Sequence, residues 1–215
     1  MLTLTTSIGF MFEDGFKIEL ANLTTNNSLM DKLWSEIRSN YSRSKRHYHN
    51  LTHLDNLFEQ LLPIRSQIEH WQALIFSIAY HDIVYNTLKK DNEERSAALA
   101  YDRMTLLELS LPLREKCRLQ ILATKHHRLT EDADTNYFTD ADLSILGSDR
   151  ESYLNYTKQI RKEYGNFPDI VYKPGRKKVL KHFLEMDNIF KTKYFQDKFE
   201  DQAKANIVAE LKSLT

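Results

Sequence analysis

The sequence predicts an all-α protein. Two observations carry that expectation. Only 5 glycines and 4 prolines punctuate 215 residues, against a typical glycine share of about 7%, so turns are scarce and elements are long. Apolar residues also return at three- and four-residue spacing in segment after segment, the period of one helix face rather than the alternation of a strand. An apolar content of 41% beside 28% charged residues supports an ordinary core. No linker, repeat or low-complexity tract interrupts residues 1–215, so one domain is expected.

Each element has its own signal. Residues 1–27 are weakly patterned and predict none. Asn26-Asn27-Ser28 offers a cap to a helix carrying Leu29, Leu33, Trp34 and Ile37. Residues 41–48 form a basic, polar connection. The next helix carries Leu51, Leu54, Leu57, Phe58 and Leu61, contains His53 and ends near Pro63. A third, from about Ile68 to Val84, is apolar on most sides and is expected at the centre of the core. Asp91-Asn92-Glu93-Glu94 supplies an acidic first turn to a helix running through Leu99, Met104 and Leu107. Pro112 opens a helix that reaches His126. A polar loop from Arg128 to Thr139 is expected next, then a short segment from Asp140 that Gly147 ends. Residues 149–164 read as a helix stopped by Gly165, and about 175–190 and 192–213 as two amphipathic helices. The expectation is seven to nine helices, with residues 149–215 packed on a core of residues 45–147.

Charge and cysteine usage narrow the functions. The formal net charge is +0, from 30 basic and 30 acidic residues, which argues against a general nucleic-acid or membrane-surface binder. The one cysteine, Cys117, excludes an intrachain disulfide and points to a reducing compartment. Met1-Leu2-Thr3-Leu4-Thr5-Thr6 lacks the basic and apolar regions of a signal peptide, and no apolar run approaches the length of a membrane span. A cytoplasmic protein is the expectation.

The most informative residues are His81 and Asp82, at the end of the apolar stretch Trp71–Tyr80. Burying an imidazole and a carboxylate together is costly unless something compensates them, and a divalent cation would do so. Other candidate ligands lie elsewhere in the chain. His49 and His53 are four apart and would share one face of a helix, the histidine spacing of HExxH sites without the glutamate. His126 and His127 would point about 100° apart on a helix, so at most one faces a given site. Asp140 and Asp142 flank Ala141. His47, His70 and His182 read as surface or structural histidines. Nitrogen and oxygen ligands without a thiolate favour Mn, Fe, Co, Ni, Mg or Zn over a soft metal.

The order of these residues is a His, a His-Asp doublet on a buried helix, a His-containing helix end, then Asp-Ala-Asp before an apolar segment. It resembles the HD superfamily of metal-dependent phosphohydrolases. Arg46-His47-Tyr48-His49-Asn50-Leu51-Thr52-His53, His81-Asp82-Ile83-Val84-Tyr85 and Asp91-Asn92-Glu93-Glu94-Arg95-Ser96-Ala97 are similar to a subgroup of that superfamily without a defined substrate. The likeness is strong over about residues 45–147 and weaker through Tyr172, Gly175-Arg176 and the last two helices. It implies an HD-type helical fold around one divalent ion held by His53, His81, Asp82 and Asp142, with His49 the alternative to His53 and Asp140 the alternative to Asp142.

The implied reaction is hydrolysis of a small phosphomonoester or phosphodiester, nucleotide-like, by a metal-activated water. Asp82 and Glu93 are the catalytic candidates, Glu93 as acceptor of the water's proton. Arg46, Lys125 and Arg176 are candidate phosphate partners. His126 or His127 would serve as donors or second-metal ligands, with His49 or Asp140 completing a second site. Two alternatives stand beside this reading: a diiron oxygenase on the same scaffold, and a regulatory module that binds a nucleotide without hydrolysing it. Assembly into a homo-oligomer is compatible with either.

Overall fold

The computed structural model describes residues 11–214; the expectation for Met1–Thr6 lies outside them. Among the described residues there are ten α-helices and no strand, more helices than the seven to nine expected. The chain forms α1 (Met11–Leu23), α2 (Asn27–Tyr41), α3 (Leu51–Leu61), α4 (Trp71–Tyr80), α5 (Asn92–Leu106), α6 (Leu111–Ala123), α7 (Ala133–Leu143), α8 (Arg150–Glu163), α9 (Asp169–Leu184) and α10 (Lys193–Ser213). Short 3-10 turns follow α3 (Leu62–Gln67) and α7 (Ser144–Gly147). No helix among the described residues is long and apolar enough to cross a membrane.

The central helix is α4. Every residue in it except Gln72 is buried, and it packs against α1, α3, α5, α6 and α7. It is shorter at both ends than Ile68–Val84. At its N-terminus the Asp134 carboxylate accepts from the backbone N–H groups of Glu69 (2.9 Å) and His70 (2.8 Å), satisfying donors that a helix start exposes. At its C-terminus His81 is the capping residue.

Other boundaries also differ for local reasons. The unpredicted α1 buries Phe12, Phe16 and Leu20, a four-residue spacing diluted by Glu19, which is itself buried and receives Arg65 at 2.9 Å. The expected loop at residues 128–139 is helical from Ala133, because Asp132 caps α7 by accepting from Thr135 N. The helix expected to reach His126 stops at Ala123, and His127 enters the left-handed region at φ 49°. The helix expected from about residue 175 begins at Asp169 and runs through Pro174.

Gly147 ends the 3-10 turn without a positive φ. Its role is close approach. A Cβ there would lie 2.5 Å from Phe199 Cβ and 2.6 Å from the Phe199 carbonyl oxygen, so only glycine lets α10 seat on this turn. Asp140 fixes the start of α10. Its carboxylate accepts from Lys191 N, Thr192 N and Thr192 Oγ1 at 2.8 Å each, and pairs with the buried Lys191 Nζ at 3.3 Å.

Candidate metal centre

Three helix ends meet beside α4. His53 is the third residue of α3, whose start is capped by Asn50 accepting from Thr52 N at 2.9 Å. His81 and Asp82 leave the end of α4, and Asp142 sits in the last turn of α7. His53 and His81 are buried, and together with Asp82 they form a cluster able to coordinate a divalent metal ion, with one ligand atom from each within 4.8 Å of the others. His53 Nε2 and His81 Nε2 are 3.1 Å apart. Asp82 Oδ2 lies 3.3 Å from His81 Nε2 and 3.9 Å from His53 Nε2. Asp142 Oδ1 lies 3.2 Å from His53 Nε2 and 3.7 Å from His81 Nε2.

The 3.1, 3.2 and 3.3 Å spacings fit a cation directly, and the 3.7 and 3.9 Å ones are slightly longer. Ligand atoms about 2.0–2.2 Å from one ion stand about 3–3.5 Å from their neighbours in octahedral or tetrahedral geometry. The tautomer fits as well: His81 Nδ1 donates to Ile78 O at 3.0 Å, which leaves Nε2 as the lone-pair nitrogen facing the cluster. Two carboxylates meeting two imidazoles in a buried space also need positive charge, from protons or from a metal.

The electrostatics show that demand. Burial alone would lower the His81 pKa, but the Asp82 and Asp142 carboxylates push it up to about 9. Burial would raise both carboxylates, yet the histidines hold Asp142 at about 2 and Asp82 well below the usual carboxylate range. His53, for which burial outweighs its carboxylate neighbours, is lowered.

The other sequence candidates separate. Asp140 and Asp142 are two residues apart on α7, about 200° around the helix. Asp142 faces the histidines, while Asp140 points away and anchors α10. His49 is not on a helix with His53. It precedes the cap of α3, and its Nε2 stands 3.7 Å from Asp82 Oδ2. Of the adjacent pair, His127 turns inward, its Nε2 3.6 Å from Asp142 Oδ2, and burial drops its pKa to about 4. His126 is exposed at the rim.

The three cations are already engaged. Arg46 donates to the carbonyls of His49 (3.1 Å), Asp82 (2.6 Å) and Ile83 (2.8 Å) and lies over the Tyr41 and Tyr85 rings. It therefore ties the histidine loop to the His-Asp doublet and turns no donor seen here toward a phosphate. Lys125 pairs with Glu94 and donates to Lys90 O. Arg176 makes a bidentate pair with Glu210 at 2.8 and 3.0 Å.

One residue at this site escaped sequence reasoning. The buried Glu163, at the end of α8, accepts from Tyr48 N (2.8 Å), His49 N (3.0 Å), His49 Nδ1 (2.6 Å) and Tyr85 Oη (2.8 Å). It therefore sets the tautomer of His49 and aims its Nε2 at Asp82. Burial pushes the Glu163 carboxyl up, but His49 and the two backbone donors outweigh it and hold its pKa at about 2. Its partners are 115, 114 and 78 positions away, so no local signal marks it.

The cluster opens into a cleft of about 660 Å³ whose lining includes His49, Asp82, Glu93, His127 and Asp142, with tyrosines and apolar side chains of α8 and α9 opposite. Compared with protein-family models, curated proteins and solved structures, the chain matches none. The finding is thus an all-helical protein with a buried His53/His81/Asp82 cluster able to hold a divalent metal at the head of a cleft.

Proposed function

We propose that the chain is a metal-dependent phosphohydrolase of the HD type, cleaving a small phosphoester through a metal-bound water. The observation that carries this is the convergence of His53, His81, Asp82 and Asp142 at the head of a ligand-sized cleft. These residues would hold the ion. When bound, it would polarise the phosphoryl group and bring the pKa of a coordinated water near neutrality.

The chain's own groups supply the rest. Glu93 lines the cleft and is the carboxylate that takes the water's proton. His49, fixed by Glu163, and His127, fixed by its left-handed backbone, flank the two metal-facing carboxylates. They would contact phosphate oxygens. The water oxygen bonds to phosphorus, the ester P–O bond breaks, and a proton ends on the departing oxygen. His127 is the member of the His126–His127 pair turned to the centre, and His49 stands beside Asp82. A diiron site would also find its ligands here, so the two readings part on the metal and oxygen dependence of turnover.

The test uses metal-stripped protein assayed without oxygen against a phosphoester panel, with Mg, Mn, Co, Ni, Zn or Fe restored in turn. Turnover with redox-inert Mg or Zn is the expected result. Strict dependence on iron and oxygen would establish the oxygenase alternative instead, because Lewis-acid hydrolysis requires no electron transfer.

A further inference from the structure

We propose that the substrate is a phosphomonoester with a single phosphate and an aromatic organic body, and that α8 and α9 form the wall recognising that body. This rests on the hydrolase reading above and names its substrate class.

The first observation is a shortage of free positive charge. A di- or triphosphate chain needs several cations or donors along its length. Of the cations lining the cleft, Arg176 is neutralised by Glu210 and Lys125 by Glu94. Lys178 is exposed on α9, at the cleft edge. Glu93, Asp82 and Asp142 add negative charge to the same lining. Apart from Lys178, His126 and His182 toward the cleft edge, anion-binding capacity in the lining is therefore concentrated at the metal centre with His49 and His127.

The second observation is the opposite wall. Tyr156, Tyr164, Tyr172 and Phe167 line the cleft, with Arg176 stacked on the Tyr156 ring and Arg161 on the Tyr172 ring. Tyr48 and Tyr156 meet edge-to-face at 4.7 Å, and Tyr164 lies 5.8 Å from Phe167 and 5.9 Å from Tyr172. Val171 and Val179 line the same space while remaining 53% and 46% exposed, which leaves uncovered apolar surface inside a concavity. Aromatic and apolar walls favour a flat, apolar ligand over a polar polyol, which would give up more hydration on entering.

The experiment compares two monoesters whose leaving groups are both primary alcohols, so that their intrinsic reactivity is matched, with a triphosphate as the polyphosphate control. Metal-loaded full-length protein is given naphthylethyl phosphate, glycerol monophosphate and a nucleoside triphosphate. Expected is a kcat/KM for the naphthylethyl ester roughly ten- to a hundredfold above that for glycerol monophosphate, with the triphosphate poorest. Val179→Asp, at a solvent-accessible position, should shrink that ratio toward one while circular dichroism and thermal unfolding stay close to wild type.

A calorimetric arm needs no turnover. Naphthylethyl phosphonate should bind with a negative heat-capacity change and bind more weakly to Val179→Asp. Equal rates for the two monoesters, preference for the triphosphate, or a ratio unmoved by Val179→Asp would overturn the proposal. Phosphonate binding that weakens in the variant, with no ester hydrolysed under any metal, would uphold the recognition wall and sink the hydrolase reading.

Discussion

Replacing Glu163 by glutamine changes one atom in shape and removes the charge on which four donors converge. Tyr48 N and His49 N sit on one carboxylate oxygen, His49 Nδ1 and Tyr85 Oη on the other. Glutamine keeps one acceptor oxygen and turns an NH₂ group toward the remaining pair of donors. A carboxyl group held at about 2 rather than its ordinary 4.5 is worth roughly 3 kcal/mol of stability at neutral pH. The Glu163 side chain is shut off from solvent, so screening takes little from that figure.

The sign follows from the lowered pKa. The contribution is fully present above about pH 4.5 and is lost as pH falls through about 2. Urea unfolding of wild type and Glu163→Gln between pH 3 and 7 isolates it. The difference should be roughly 3 kcal/mol at pH 7 and should shrink steadily below pH 4.5. A difference under about 1 kcal/mol that does not change with pH would refute this account of the Glu163–His49 contact.

Three further outcomes are expected. Asp82→Ala should lose bound metal and any turnover while keeping its helical circular dichroism, because the cation that the carboxylate balances leaves with it; normal metal content would remove Asp82 from the ligand set. Asp140→Ala should behave in the opposite way, destabilising the fold by about 3–5 kcal/mol by stranding the buried Lys191 ammonium, with the metal ratio in the folded fraction unchanged. Gly147→Ala should lower stability by about 1–3 kcal/mol through the clash with Phe199, read as a drop in the urea midpoint at constant slope.

What could be read from the sequence followed the range of each signal. His81 and Asp82 stood out because both are adjacent and end the most apolar helix in the chain. Asp140 and Asp142 could not be told apart by pattern, since both lie in one polar-looking segment; rotation about α7 sends one to α10 and the other to the histidines. The start of α7 was hidden for a related reason. Its polar residues Asp134, Thr135 and Asn136 are buried and satisfied by distant backbone or neighbouring turns, so composition imitated a loop. The α1 stripe of Phe12, Phe16 and Leu20 was legible in principle but diluted by a buried Glu19. Arg46 looked like a phosphate ligand because its type suits one, yet its guanidinium is spent on three carbonyls brought close only by folding.

The central claim is that one divalent ion lies between His53, His81, Asp82 and Asp142. Crystals of the full-length protein grown with cobalt, measured at the cobalt absorption edge, test it most directly. The account predicts a single strong anomalous peak about 2.0–2.3 Å from both His53 Nε2 and His81 Nε2, with a carboxylate oxygen of Asp82 and of Asp142 completing the protein ligands. A cobalt peak elsewhere, or none here at saturating metal, would contradict it.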